Sequence, residues 1–108
     1  MNPTARYCMV LTTTANAEEA ETLAEKLVGK KLCACVQVQQ VKSFYMWKGE
    51  ACSEPECLLF IKARAEQYPA LESFILENHA YDTPEILQVP VAEGSSDYLR
   101  WIDGVTGR

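Results

Sequence analysis

Excess positive charge and long apolar runs are both missing from this sequence of 108 residues. Ten Lys and Arg residues stand against fifteen Asp and Glu residues, which gives a net charge of −5. Phosphate binding needs clustered Lys and Arg, so this balance argues against a nucleic-acid partner. No apolar run approaches the ~18 residues of a membrane span, and no basic and apolar leader opens the chain. These absences predict a cytoplasmic protein without a membrane partner.

Groups that commonly carry catalysis are also scarce. The chain has one histidine, His79, which would have to serve any general acid or base role. It has no Gly-rich phosphate loop, and no Ser-His-Asp or Cys-His order is evident. The sequence therefore predicts a protein that is not an enzyme.

The five cysteines lack the spacing of a metal or redox motif. Cys33 and Cys35 are the one close pair, and Cys-x-Cys differs from the Cys-x-x-Cys of zinc and redox sites. An odd number of cysteines without a leader favours reduced thiols, which agrees with a cytoplasmic location.

The apolar periodicity predicts one α+β domain over residues 1–108, because a second domain would have too little core. Strand 7–13 precedes a helix that begins after Asn16, with Glu19 completing a capping box, and that ends near Gly29 and the Lys30-Lys31 pair. A β-hairpin, a helix with Pro69 in its first turn, a strand over 85–91 and a short helix capped by Ser95 or Ser96 follow. The order βαββαβ plus a C-terminal helix predicts a ferredoxin-like split β-α-β sandwich.

The hairpin is unusually long for this fold. Its arms, roughly 32–48 and 50–64 around a turn at 48–50, would each extend about 50 Å, whereas typical strands span about 17–20 Å. The apolar phase changes near Gln40, which predicts a bulge or bend, and Pro55 is expected at an edge or a bulge. An overhanging ribbon with exposed aromatic rings would be marginally stable alone, so the sequence predicts an oligomer.

The segment ENHAYDTPE, residues 77–85, brings His79, Tyr81 and Glu85 close together around a proline. It could form a metal site, an acid/base pair or a loop between a helix and a strand. A lone histidine at a helix end more often caps the last carbonyl groups, and this interpretation is favoured.

A second polar group centres on Lys62, which shares a strand face with Leu58 and Phe60. This lysine could extend past an apolar edge or pair with a carboxylate, either Glu85 or Glu56. An interface salt bridge among packed rings and a small-ligand crevice both remain open. The residues predicted to line an inter-subunit crevice are Trp47, Glu56, Lys62, Tyr81, Glu85 and Trp101.

Five stretches in this order resemble the CutA family of divalent-cation tolerance proteins. They are AEEAETLAEKLVGKKLCACV, SFYMWKGE, CLLFIKAR, HAYDTPEIL and YLRWI. The resemblance implies a ferredoxin-like fold with a long bent hairpin, assembly as a homotrimer, and a link to tolerance of copper or other divalent cations.

The metal ligands that the resemblance implies are retained only in part. The family's two thiols fall on Thr12 and Cys35, and its His-His pair falls on Asn78 and His79. Cys35 and His79 are therefore the candidate metal ligands; they could come from different subunits, or need not converge at all. Two ligands predict weak or conditional copper binding and no obligatory cofactor.

Two other functions remain open at this point. A trimeric small-ligand sensor similar to the PII proteins is one, although the long partner-binding loop of those proteins has no counterpart here. A non-catalytic scaffold that binds other proteins through its surface is the other.

Overall fold

A computed structural model gives the structure of residues 5–107 and shows the predicted order of elements, followed by a C-terminal helix. A single 3-10 turn, Ala65–Gln67, precedes the second helix. The fourth strand begins at Leu87, later than the predicted residue 85. The elements are β1 Tyr7–Thr14, α1 Ala17–Gly29, β2 Cys35–Trp47, β3 Glu50–Arg64, α2 Tyr68–Asn78, β4 Leu87–Val91 and α3 Ser96–Val105.

The four strands form one antiparallel sheet in the order β2-β3-β1-β4. Alternate residues of β1 and β3 are buried on the face that packs against α1 and α2, as the two-residue period of a strand requires. The side chains fully enclosed there include Val10, Leu27, Leu59, Ile61, Leu71 and Ile75. We call the opposite side of the sheet the open face, because α3 covers only one end of it: Asp103 and Thr106 bond to Tyr7 and Arg64, and Tyr98 lies against Lys62. No helix within residues 5–107 is long and apolar enough to cross a membrane.

The two ends of α1 follow the sequence signals with small changes. The Asn16 side chain accepts a hydrogen bond from the Glu19 amide at 2.9 Å, as predicted, but the Glu19 carboxylate accepts from Ala15 rather than from Asn16 itself. At the C-terminus Lys31 supplies the left-handed residue with φ 60°, where glycine is usual. Its amide and that of Leu32 donate to the carbonyls of Val28 and Leu27, both at 3.0 Å, which closes the helix.

β2 and β3 form one continuous ladder from the pair Cys35–Lys62 to the pair Trp47–Glu50. The register is unbroken, so the bulge is excluded as the form of the predicted bulge or bend near Gln40. The apolar phase changes because apolar side chains occupy both faces of the hairpin once it leaves the helices. The turn is confirmed at Lys48 and Gly49, whose φ values of 50° and 79° suit a two-residue type I′ hairpin turn.

We call residues 41–56 the ribbon, because β1 pairs with β3 only as far as Cys57. Pro55 lies in the ribbon opposite Lys42, where β3 has lost its β1 neighbour, so the predicted edge position is confirmed. Exposed aromatic rings occupy both ribbon faces, with Phe44 at 75% and Trp47 at 46% exposure in the single chain.

Candidate functional site

His79 follows the last residue of α2, and both nitrogens of its ring are hydrogen-bonded. Nε2 lies 2.6 Å from the carbonyl oxygen of Thr13, and Nδ1 accepts the amide proton of Tyr81 at 3.1 Å. These partners require the neutral ring with its proton on Nε2. His79 occupies the predicted C-cap position of α2, but its ring does not bond the last carbonyls of the helix. Asn78 does so instead, by donating to the Phe74 carbonyl at 2.8 Å.

The Thr13 carbonyl accepts this bond because β4 is short. β4 pairs with β1 from Tyr7 only to Leu11, so β1 continues past the end of its neighbour. A backbone carbonyl that is buried without a partner is costly, and Thr13 is almost fully buried. The His79 ring therefore takes the place of the missing strand at the end of β1.

Tyr81, in the loop between α2 and β4, links His79 to the base of the ribbon. Its ring lies 4.9 Å from the His79 ring, and its hydroxyl donates to Glu56 at 2.8 Å. Burial and the Glu56 carboxylate both raise the pKa of Tyr81, so the phenol keeps its proton and remains a donor. The structure thus brings three of the singled-out residues together: His79, Tyr81 and Glu56.

Cys35 and Lys62 form a second group, on the open face of the sheet. They are cross-strand partners on β2 and β3. The Lys62 ammonium lies 5.9 Å from the centre of the Tyr98 ring, and Tyr98 stacks at a tilt on Trp101. Burial and the nearby Cys35 thiol raise the pKa of Tyr98.

The predicted carboxylate partners of Lys62 do not reach it within one chain. The ion pairs found among residues 5–107 join Arg64 to Glu66 and Arg100 to Asp97. Glu56 accepts from Tyr81 instead, and Glu85 precedes β4. Trp47 lies at the far end of the ribbon, so the predicted crevice residues do not converge in the isolated chain.

The positions that match the family's metal ligands are dispersed as well. Thr12 points into the core between the sheet and the helices, whereas Cys35 lies on the open face. His79 bonds to Thr13, and Thr13 pairs with Leu58 of β3. Cys35 pairs with Lys62, which lies four residues further along the same strand. That offset is about 13 Å, and two strand spacings of about 4.8 Å separate β2 from β1. One ion cannot bind both Cys35 and His79 of the same chain.

The donor set of the described residues agrees with this geometry. Residues 5–107 contain no group of three or more His, Cys, Asp or Glu side chains placed to hold a metal ion. Thr12 is itself poorly suited to a soft cation, and its buried hydroxyl has no hydrogen-bond partner within the same range. The ligand positions of a single folded chain therefore do not fit a tight metal site.

Sequence reasoning missed a cleft of about 320 Å³ between α1 and the end of α2. One wall of the cleft is the polar side of α1, with Glu18, Glu19 and Lys26, which the sequence pattern indicates as solvent-facing. The other wall is formed by residues 78–80, and no local pattern places them opposite α1. The residues lining the cleft are Thr14, Glu18, Glu19, Thr22, Leu23, Lys26, Asn78, His79 and Ala80.

Comparison with known proteins identifies the family. Residues 8–105 match the family model of the CutA1 divalent ion tolerance protein. A divalent-cation tolerance protein CutA of Thermus thermophilus is 39% identical over 100 residues, which are 92% of this chain and 97% of that protein.

Solved structures agree in fold. A structure titled as the periplasmic divalent cation tolerance protein CutA of Archaeoglobus fulgidus superposes with a TM-score of 0.91, at 33% identity, over 93% of this chain and 98% of that one. CutA from Synechococcus elongatus gives a TM-score of 0.92 at 32% identity, over 96% of this chain and 93% of that one. The chain belongs to the CutA1 family of divalent-ion tolerance proteins.

Proposed function

We propose that this protein is a cytoplasmic, non-enzymatic homotrimer that contributes to tolerance of divalent cations, copper in particular, and binds them weakly or conditionally. Membership of the family supports the link to divalent cations. The observation that carries the proposal is the separation of Cys35 from His79. A site with more than one strong ligand would need residues from different subunits, which makes binding depend on assembly.

Assembly is supported by the apolar surfaces that a single chain leaves exposed. Leu87, on the edge strand β4, is 54% exposed, and the ribbon adds Trp47 on the same side of the sheet. Apolar surface on this scale is unfavourable in a monomer. Copies of the same chain would cover it. Other apolar side chains of the open face include Met9, Leu11, Leu58, Phe60 and Val89.

Cys35 is the thiol that we assign to copper, because it lies on the open face, is partly accessible and occupies a family ligand position. Lys62 stands opposite it in the ladder, and its positive charge opposes a bound cation. One thiolate beside an ammonium supports weak binding rather than a tight site.

The non-enzymatic and cytoplasmic parts have their own support. The two hydrogen bonds of His79 leave it neither a free base nor a free acid. All five cysteines are free thiols, which suits a reducing compartment. Cell fractionation with a periplasmic and a cytoplasmic marker tests the location directly. The family match favours this function over the small-ligand sensor and the scaffold.

The experiment that tests the function is titration of the protein with copper under reducing conditions, with light scattering on the same samples. We expect weak binding that weakens further in Cys35→Ser and an assembly that stays trimeric in both proteins. Cys52→Ser is the matched control, since Cys52 is a partly buried thiol on the ribbon. A cell lacking the protein should grow less well in excess copper. A monomer, or copper binding unaffected by Cys35→Ser, would contradict the proposal.

A further inference from the structure

The His79 ring has no free lone pair with which to bind a cation in the folded chain. Its Nε2 carries the proton that is donated to Thr13, and the lone pair of Nδ1 faces the amide of Tyr81. A metal ion on either nitrogen would have to displace one of these two bonds. The Thr13 bond satisfies a buried carbonyl, so its loss would leave that carbonyl unpaired.

The same two bonds begin a series of contacts that ends on the ribbon. The His79 ring is hydrogen-bonded to the Thr13 carbonyl of β1 and accepts from the amide of Tyr81. The Tyr81 hydroxyl in turn donates to Glu56 of β3. Glu56 lies opposite Val41, at the point where β3 loses its β1 neighbour. The series therefore ties the end of α2 and the end of β1 to the base of the ribbon.

We infer that His79 is a positioning residue for the ribbon, which it supports through Tyr81 and Glu56, and that it is not a cation ligand. The inference assigns the one histidine of the chain a role other than metal binding. It rests on the proposed function only in treating the ribbon as the element that contacts a second copy. The hydrogen bonds themselves belong to the single chain.

Three substitutions at His79 separate the two roles, because the amide groups of Gln and Asn match different ring nitrogens. His79→Gln can place an amide N–H near the position of Nε2 and keep the bond to Thr13. His79→Asn can place an oxygen near the position of Nδ1 and keep the bond from Tyr81. His79→Ala loses both. Neither amide is a good copper ligand, so a metal role predicts that all three variants lose copper equally.

We expect copper affinity within about twofold of the natural protein in all three variants, and urea midpoints that fall most in His79→Ala, with partial rescue by Gln and Asn. Amide hydrogen exchange at Tyr81 should rise at least about tenfold in His79→Ala and stay low in His79→Asn. An equal loss of copper binding in the three variants, with unchanged midpoints and exchange, would overturn the inference.

A double-mutant cycle tests whether His79 acts through Tyr81. Tyr81→Phe removes the hydroxyl that reaches Glu56 and leaves the ring. If His79 works by holding Tyr81, the double variant should raise the unfolding rate by less than the product of the two single effects. Multiplicative effects would overturn the positioning role. If the natural protein binds no copper at all, the proposed function fails while exchange and coupling still report on His79.

Discussion

Two buried threonines of β1 show how strongly the environment of a single hydroxyl matters. Thr12 and Thr14 lie on the same face of the strand and are 0% and 3% exposed. The Thr14 hydroxyl donates to the Asn16 carbonyl at 2.9 Å, whereas the Thr12 hydroxyl has no partner among the described residues. Burying an unpaired hydroxyl costs free energy that burying a methyl group does not.

Thr12→Val should therefore stabilise the protein, by about 1 kcal/mol, because it removes the unpaired hydroxyl and keeps the shape. Thr14→Val is the matched control and should destabilise by about 1 kcal/mol, because it breaks a satisfied bond. Urea unfolding of both variants gives the comparison. A loss of stability in Thr12→Val would show that its hydroxyl is paired in solution.

The buried thiols give a second prediction at the residue scale. Burial raises the pKa of Cys8 to about 11 and that of Cys33 to about 12, from an ordinary value of 9.0. Both thiols remain protonated at neutral pH, and the thiolate is the reactive form. Alkylation followed by mass spectrometry should modify neither residue until the protein unfolds.

The same shifts set a sign for the dependence of stability on pH. Above pH 9 the unfolded chain releases thiol protons that folded Cys8 and Cys33 retain. The stability contribution is complete below pH 9 and falls as pH rises toward 12. Unfolding midpoints that rise between pH 9 and 11 would contradict this assignment.

At the scale of elements, the end of α1 carries an avoidable strain. Lys31 adopts φ 60° at the position after the helix cap. In this left-handed region the Cβ of an L residue lies too close to the backbone, and glycine avoids that steric cost. Lys31→Gly should stabilise the protein by about 0.5–1 kcal/mol, after the larger backbone entropy of glycine is subtracted. Lys30→Gly, at φ −87°, is the control and should not stabilise. Thermal and urea unfolding of the two variants provide the measurement.

The elements themselves were largely predictable, because periodicity and caps are local signals. The start of α1 after its cap Asn16 and the hairpin turn at Lys48-Gly49 both follow from short-range interactions that the sequence displays. The continuous ladder past Gln40 was not predictable, since the same change of apolar phase fits a bulge or a ribbon with two apolar faces.

The site was less predictable than the elements. The role of His79 depends on where β4 stops relative to β1, and no local pattern encodes that end point. The bond from Tyr81 to Glu56 joins residues 25 positions apart in the chain, so only the folded register reveals it. The dispersal of Thr12, Cys35 and His79 likewise depends on strand order and on the face that each residue occupies.

At the scale of the whole molecule, the chain extends over 44 × 30 × 22 Å, and the ribbon supplies an aromatic surface that its own helices do not cover. Trp47 lies on the same side of the sheet as Cys35 and is 46% exposed. If this side meets neighbouring copies, Trp47 is buried by assembly rather than by folding of the chain.

Trp47→Ala should then weaken the trimer, at a cost of about 3–5 kcal/mol if the ring is fully buried between subunits. Light scattering of the natural protein should give about 36 kDa, three times the chain mass of 12.1 kDa, and the variant should dissociate on dilution. Leu76→Ala is the control, because Leu76 is 55% exposed on α2, and it should leave the mass unchanged. A stability loss in Trp47→Ala that is independent of protein concentration would place the ring in the core of the subunit. An unchanged mass and midpoint at every concentration would place it on the outer surface, and the interface would then have to lie elsewhere.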